Sequence, residues 1–143
     1  MYSYKDSPDN VGTYSAVLNL FLASIVMAGF REPNILDVGA GTGLYAEALL
    51  NAGCNVTALD PSPDSMRNTS ATKIYSTLEN ASLPDNSFDA IHIKDSLEHV
   101  RDKDEFFEKC HVVIRPGGIV MCVFDENPTI ISIASILSVG RTI

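Results

Sequence analysis

Apolar residues fall into two rhythms along the chain, and the alternation between them predicts the architecture. Between residues 11 and 29, Val17, Leu18, Phe21, Leu22, Ile25 and Val26 recur at steps of three and four, the spacing of one helix face, and Gly29 ends the run. The short apolar strand Asn34-Ile35-Leu36-Asp37-Val38 then leads into alternating glycines, after which residues 44–51 hold good helix formers and stop at Gly53. Residues 55–59 read as a second strand, with Asp60 and two prolines behind it and a short helix over residues 63–68. A third, weaker strand falls at residues 71–75. The turn Pro84-Asp85-Asn86-Ser87 introduces a fourth strand at residues 88–93, since Asn and Asp can hydrogen-bond their own backbone.

A helix follows over residues 103–113, Arg115-Pro116-Gly117-Gly118 breaks it, and residues 119–124 are apolar throughout, as in a strand covered on both faces. The apolar, Ser-rich segment at residues 129–139 reads as one more helix. Strands that alternate with helices imply a mainly parallel sheet, because parallel neighbours need crossover connections. The expected fold is therefore α/β, a doubly wound five-stranded sheet with helices on both faces, in one domain covering residues 1–143.

Composition narrows the partners. Asp and Glu number 18 against 10 Lys and Arg, a formal net charge of -8, and no basic run stands out to track a phosphate backbone. Nucleic acid is set aside, and a small or neutral substrate fits better. Cys54, Cys110 and Cys122 match no C-x-x-C spacing and read as free, reduced and buried, and no metal cluster is expected. The amino terminus lacks the basic start and apolar core of a signal peptide. The longest apolar stretch, residues 16–30, is broken by Asn19 and Ser24 and falls short of the ~20 residues that a membrane span needs. A cytoplasmic location with no membrane partner follows.

In a doubly wound sheet the ligand sits beyond the carboxyl ends of the strands, where strand order reverses. Gly39, Gly41 and Gly43 follow the first strand; they permit positive φ and let backbone approach a ligand with no Cβ in the way. The dinucleotide pattern G-x-G-x-x-G requires glycine where Leu44 stands, and the phosphate-binding loop pattern lacks its lysine. Neither pyrophosphate reading fits.

Leu36-Asp37-Val38-Gly39-Ala40-Gly41-Thr42-Gly43 resembles the first motif of the class I S-adenosylmethionine-dependent methyltransferases, an acidic residue two positions before G-x-G-x-G. The resemblance implies a Rossmann-like fold, S-adenosylmethionine as cofactor and S-adenosylhomocysteine as product. It implies that Asp37 serves the cationic amino end, directly or through water, while N–H groups of Gly39, Ala40, Gly41 and Gly43 face the carboxylate and ribose. Asp60, followed by Pro61, stands where family members carry the acid that takes the ribose hydroxyls; its other reading is a helix N-cap ahead of Ser62 and Pro63. Residues 78–84 resemble the segment before the family's fourth strand, so that Glu79 meets the adenine amino group and the N–H of Asn80 the ring, or else Glu79 is loop surface. Residues 92–100 resemble the fourth strand and its turn, and residues 115–118 the turn before the fifth.

Lys94 joins the cofactor-binding set or pairs with Asp95. Asp95, Glu98 and His99 are the candidate bases for an acceptor hydroxyl or amine, with His99 alternatively packing at the turn. His92 and His111 read as structural. The function implied is methyl transfer to a small-molecule or otherwise unknown acceptor; the alternative is a non-catalytic cofactor- or nucleoside-binding module that needs a partner subunit to complete its site. Family members usually continue past the fifth strand with further elements, so the chain reads as truncated after strand five, or as a minimal member. An open edge of strand five beside the apolar tail argues for a homo-oligomer joined through that edge and the C-terminal helix.

Overall fold

The computed structural model describes residues 11–94, 97–127 and 130–139, and gives only the backbone path for residues 11–14, 94, 123–127 and 130–139. Helices α1 (Val11–Met27), α2 (Leu44–Asn51) and α3 (Lys103–Val113) accompany strands β1 (Asn34–Val38), β2 (Asn55–Leu59), β3 (Thr72–Ile74), β4 (Phe88–Lys94), β5 (Ile114–Asn127) and β6 (Ile130–Val139). The strands form one six-stranded sheet in the order β3-β2-β1-β4-β5-β6. The first five run parallel, and β6 lies antiparallel to β5.

Strand alternation with period two divides the core into two layers. On one face α1 and α2 place Val17, Phe21 and Leu49 over Ile35, Ala90 and Met121. On the other, α3 places Phe106, Cys110 and Val113 over Leu36, Val38, Ile91, Ile93 and Cys122. Helix α3 is well specified locally: the Asp102 side chain accepts a 3.0 Å bond from the Glu105 N–H, acids occupy the first turn, and His111 lies in the last. At the amino ends of the strands the Asp89 carboxylate ties three elements, accepting from the Asn34 N–H at 2.9 Å and from Arg115 at 3.0 Å.

Four expectations change. Residues 63–68 form turns rather than a helix, because Met66 adopts a positive φ of 58° and the N–H groups of Met66 and Asn68 bond the glycine loop. The inward stripe of α1 is narrower than its periodicity, with Val17, Phe21 and Ile25 buried and Val26 73% exposed. Strand β5 begins five residues earlier, at Ile114, which pairs Phe88 before an irregularity resets the register at Ala90 and Ile119. Gly118 makes that geometry possible, since a Cβ there would come within 2.5 Å of the Ile114 side chain.

The fourth change is the largest. Residues 130–139 are a strand, not a helix, running alongside β5 from Gly118↔Val139 to Asn127↔Ile130. The segment is rich in β-branched residues, which favour a pleated conformation, and the edge of β5 offers it a full row of donors and acceptors. The sheet therefore has six strands, and the route to self-association through an open β5 edge and a C-terminal helix is removed.

Phe106 is 1% exposed and fills the α3 layer. Phe106→Ala is expected to destabilise the fold by about 3–5 kcal/mol. Urea unfolding should show a lower midpoint at an unchanged slope.

Candidate functional site

Strand order reverses between β1 and β4, which opens a crevice at their carboxyl ends. The chain leaves β1 and folds back over the end of β2 through Gly39 (φ 73°), Gly41 (61°) and Gly43 (93°), conformations that glycine adopts without a Cβ penalty. The N–H groups of Gly39 and Ala40 both donate to the Leu59 carbonyl at 2.9 Å, that of Gly41 donates to Asp60 Oδ2 at 3.0 Å, and that of Gly43 to the Ala40 carbonyl at 3.0 Å. This corrects the expectation that these groups face a ligand. They hold the loop to the sheet, and what the loop offers is its close, Cβ-free approach.

Asp60 is half-buried and acts as a strut, with Oδ2 on the Gly41 N–H and Oδ1 on the Ser62 N–H, each at 3.0 Å. No helix follows it, so the N-cap alternative falls. Each carboxylate oxygen has a second acceptor position beyond the bond it already makes. Residues 62–70 buttress the loop from behind: the Met66 N–H meets the Gly41 carbonyl at 2.6 Å and the Asn68 N–H meets the Thr42 carbonyl at 2.8 Å. A Cβ at Gly43 would lie 2.7 Å from Thr69 Cγ2. On α2, Glu47 accepts from Ser70 N–H at 2.9 Å, Ser70 Oγ at 3.0 Å and Thr69 Oγ1 at 3.2 Å. These bonds hold the Glu47 carboxyl below its ordinary value of 4.5, the Ser70 backbone bond contributing most.

Asp37 is only 2% exposed, and it lies opposite His92 of β4 in the sheet register. His92 Nδ1 stands 3.1 Å from Asp37 Oδ1. An ionised carboxylate only accepts, so the network assigns the proton to Nδ1. Tyr45 of α2 stacks on the imidazole with ring centroids 4.1 Å apart and planes 12° apart, and Phe21 of α1 meets it at 5.1 Å and 58°. Asp37 Oδ2 and His92 Nε2 are buried with no hydrogen-bond partner among the described residues. Sequence reasoning took His92 as structural and missed the pair. The available signal was a polar residue in an apolar strand, one that parallel register brings level with the motif acid.

Pro61 is exposed next to Asp60, and Ala40 is buried in the loop. Glu79 and Asn80 lie in the turn between β3 and β4, where the Asn80 N–H is taken by Thr77 Oγ1 at 3.3 Å and so is not reserved for a ring. The Glu79 charge bears on Cys110, whose thiol is pushed up to about 12 by burial first, then by Cys122 and Glu79. Such a thiol is no nucleophile. Lys94 ends β4 with its backbone opposite Val123. Asp95 lies outside the described residues. Glu98 and His99 share a single 3₁₀ turn, Leu97–His99, beyond β4; their side chains stand 3.8 Å apart and that of His99 is 80% exposed. Among the described residues no three metal-ligating side chains gather, and no helix is long and apolar enough to cross a membrane.

The family described as "Methyltransferase domain" matches residues 36–122, which run from β1 into β5. A ubiquinone biosynthesis O-methyltransferase of Methylocella silvestris is 37% identical over 98 residues, 60% of this chain and 37% of its own length. One of the same name from Xanthomonas campestris pv. campestris is 28% identical over 128 residues, 82% of this chain and 52% of its own. The chain thus spans about half the length, or less, of these curated relatives. Among solved structures, the plantazolicin methyltransferase BpumL, in complex with a triazolic desmethylPZN analogue and SAH, superposes with a TM-score of 0.71 at 19% identity, over 84% of this chain and 48% of its own, a likeness of fold.

The Glu47 clamp has a pH signature. Its folded value lies below the unfolded one, so ionisation favours the fold; the contribution is complete above about pH 4.5 and is lost as pH falls through the lower folded value. Glu47→Gln is expected to flatten that acid limb when stability is followed by urea unfolding from pH 6 down to about pH 3.

Proposed function

We propose an activity for this chain from one premise: it belongs to the class I S-adenosylmethionine-dependent methyltransferase family. The activity is transfer of a methyl group from S-adenosylmethionine to an oxygen of a small-molecule acceptor. The observation that carries it is the buried Asp37 carboxylate at the end of β1, with Oδ2 unsatisfied, beside a loop whose three glycines leave room for backbone approach. A carboxylate with an open acceptor suits a cationic, phosphate-free nucleoside. It does not suit a pyrophosphate, which would ask for N–H groups and a lysine.

When bound, the cofactor supplies a methyl group already activated on a sulfonium, so the protein's task is alignment and exclusion of water. Asp37 holds the amino end. The second acceptor positions of Asp60 would take the ribose hydroxyls, and Pro61, the Gly39–Gly43 loop and Glu79 would hold the rest of the nucleoside. Lys94 and Asn80 belong to the same proposed binding set. The named O-methyltransferase relatives support a hydroxyl acceptor. Such an acceptor must lose a proton as the bond to carbon forms, and His99, with Glu98 3.8 Å from it, is the proposed base, Asp95 being the second candidate. On the same reading we place the protein in the cytoplasm.

Calorimetric titration tests the binding half. S-adenosylhomocysteine should bind and NAD should not, and Asp37→Ala should weaken the former by about 10- to 100-fold. A methyl-transfer assay over a panel of hydroxyl acceptors tests the rest. His99→Ala should lower kcat by about 100-fold and leave S-adenosylhomocysteine affinity unchanged. Tight binding with no turnover on any acceptor would replace the enzyme with a binding module, and absence of binding would sink the whole proposal.

A further inference from the structure

Asp37 has to present one oxygen in one direction, yet the terminal torsion of an aspartate is soft, with broad wells about the Cβ–Cγ bond. Something must hold the plane of the carboxylate. Among the described residues the side chain that bonds it is His92, through the 3.1 Å contact to Oδ1. The imidazole is itself fixed: it lies in the middle of β4, fully buried, stacked on Tyr45 at 4.1 Å and closed in by Phe21. Its Nε2 makes no bond among the described residues, so the bond to Asp37 is the one polar contact that the buried ring makes there. Packing alone would be served better by an apolar side chain, because a buried ring nitrogen without a partner carries a desolvation cost.

We propose that His92 is a positioning residue, which ties Oδ1 of Asp37 so that Oδ2 is the acceptor presented to the ammonium group at the amino-acid end of S-adenosylmethionine, directly or through one bound water. The inference rests on the cofactor reading above. The acceptor lies out of bulk water, where a charge-assisted bond is stronger than at the surface. His92 thereby governs recognition of the amino-acid half of the ligand and has no part in holding the adenosine half.

Two ligands separate these halves. S-adenosylhomocysteine carries the amino acid, and 5′-methylthioadenosine shares its thioadenosine part but lacks it. The quantity to measure is the ratio of their dissociation constants, by calorimetry on the full chain. A variant that is partly unfolded weakens both ligands alike, so the ratio is insensitive to stability. His92→Leu keeps apolar volume and removes the donor; His92→Asn gives up ring packing and keeps a donor near the Nδ1 position.

His92→Leu is expected to reduce the preference for S-adenosylhomocysteine by about tenfold, and His92→Asn by less than about threefold, although the second is the less well packed. In an Asp37→Asn background His92→Leu should change the ratio no further. If His92→Leu fails to fold, His92→Gln, whose amide lies one bond too far out, should show the same loss. An unchanged ratio in the donor-less variant, or an equal fall in the Asn variant, overturns the inference while leaving the cofactor site intact. Wild-type protein that binds neither nucleoside overturns both.

Discussion

The site depends on one constraint: the chain must leave β1 and fold back over β2 without ending in a bundle of unpaired amides. Leu59 meets it by accepting two N–H groups on one carbonyl, and Asp60 by accepting a third on its carboxylate. A sharp turn of this kind would otherwise strand buried donors, each costing about 1–3 kcal/mol. Because its donors are spent inward, the loop needs glycine for two separate reasons, positive φ along its length and the absence of a Cβ at Gly43 against Thr69. The segment after Asp60 is drawn into the same arrangement. Its N–H groups at Met66 and Asn68 belong to the loop, so it cannot also be a helix.

That competition explains where sequence patterning succeeded and where it stopped. Strands β1 and β2 and helices α2 and α3 were legible because their hydrophobic period, flanking glycines and caps agree with one another. Residues 63–68 were not, since their backbone partners lie more than twenty residues upstream and leave no local trace. The tail misled for a related reason. Its run of Ile, Ser and Val is compatible with either a buried helix or a strand, and the choice is made by the edge of β5, not by the segment itself. Of the site, the motif acid, the glycines and Asp60 were legible as a group, and the roles of their N–H groups were not. A spacing can show that backbone comes close to something; it cannot show which way an amide points.

The Asp37–His92 pair was hidden for a different reason. Its members are 55 residues apart, and nothing but the parallel register of β1 with β4 makes them neighbours. Seen from sequence, His92 is a single polar residue in an apolar strand, a feature with many bland explanations. In the sheet it becomes informative, because strand alternation puts both residues on the α1/α2 face, and the opposite face around α3 is built from apolar side chains and thiols.

That asymmetry bears on why the pair exists. Two buried polar groups, each with an atom left unsatisfied among the described residues, work against stability, and well-packed apolar residues in their place would generally do as well or better. The α3 face shows that this fold can build such a layer. A departure from local consistency that brings no stability is expected at a functional position, and this one stands at the strand-order reversal, level with the end of β1, where a doubly wound sheet takes its ligand. On the proposed reading, the buried carboxylate is a group kept ready for a cation rather than part of what holds the protein folded. On that reading, the stacked Tyr45 and the flanking Phe21 would give that oxygen its rigidity and dryness.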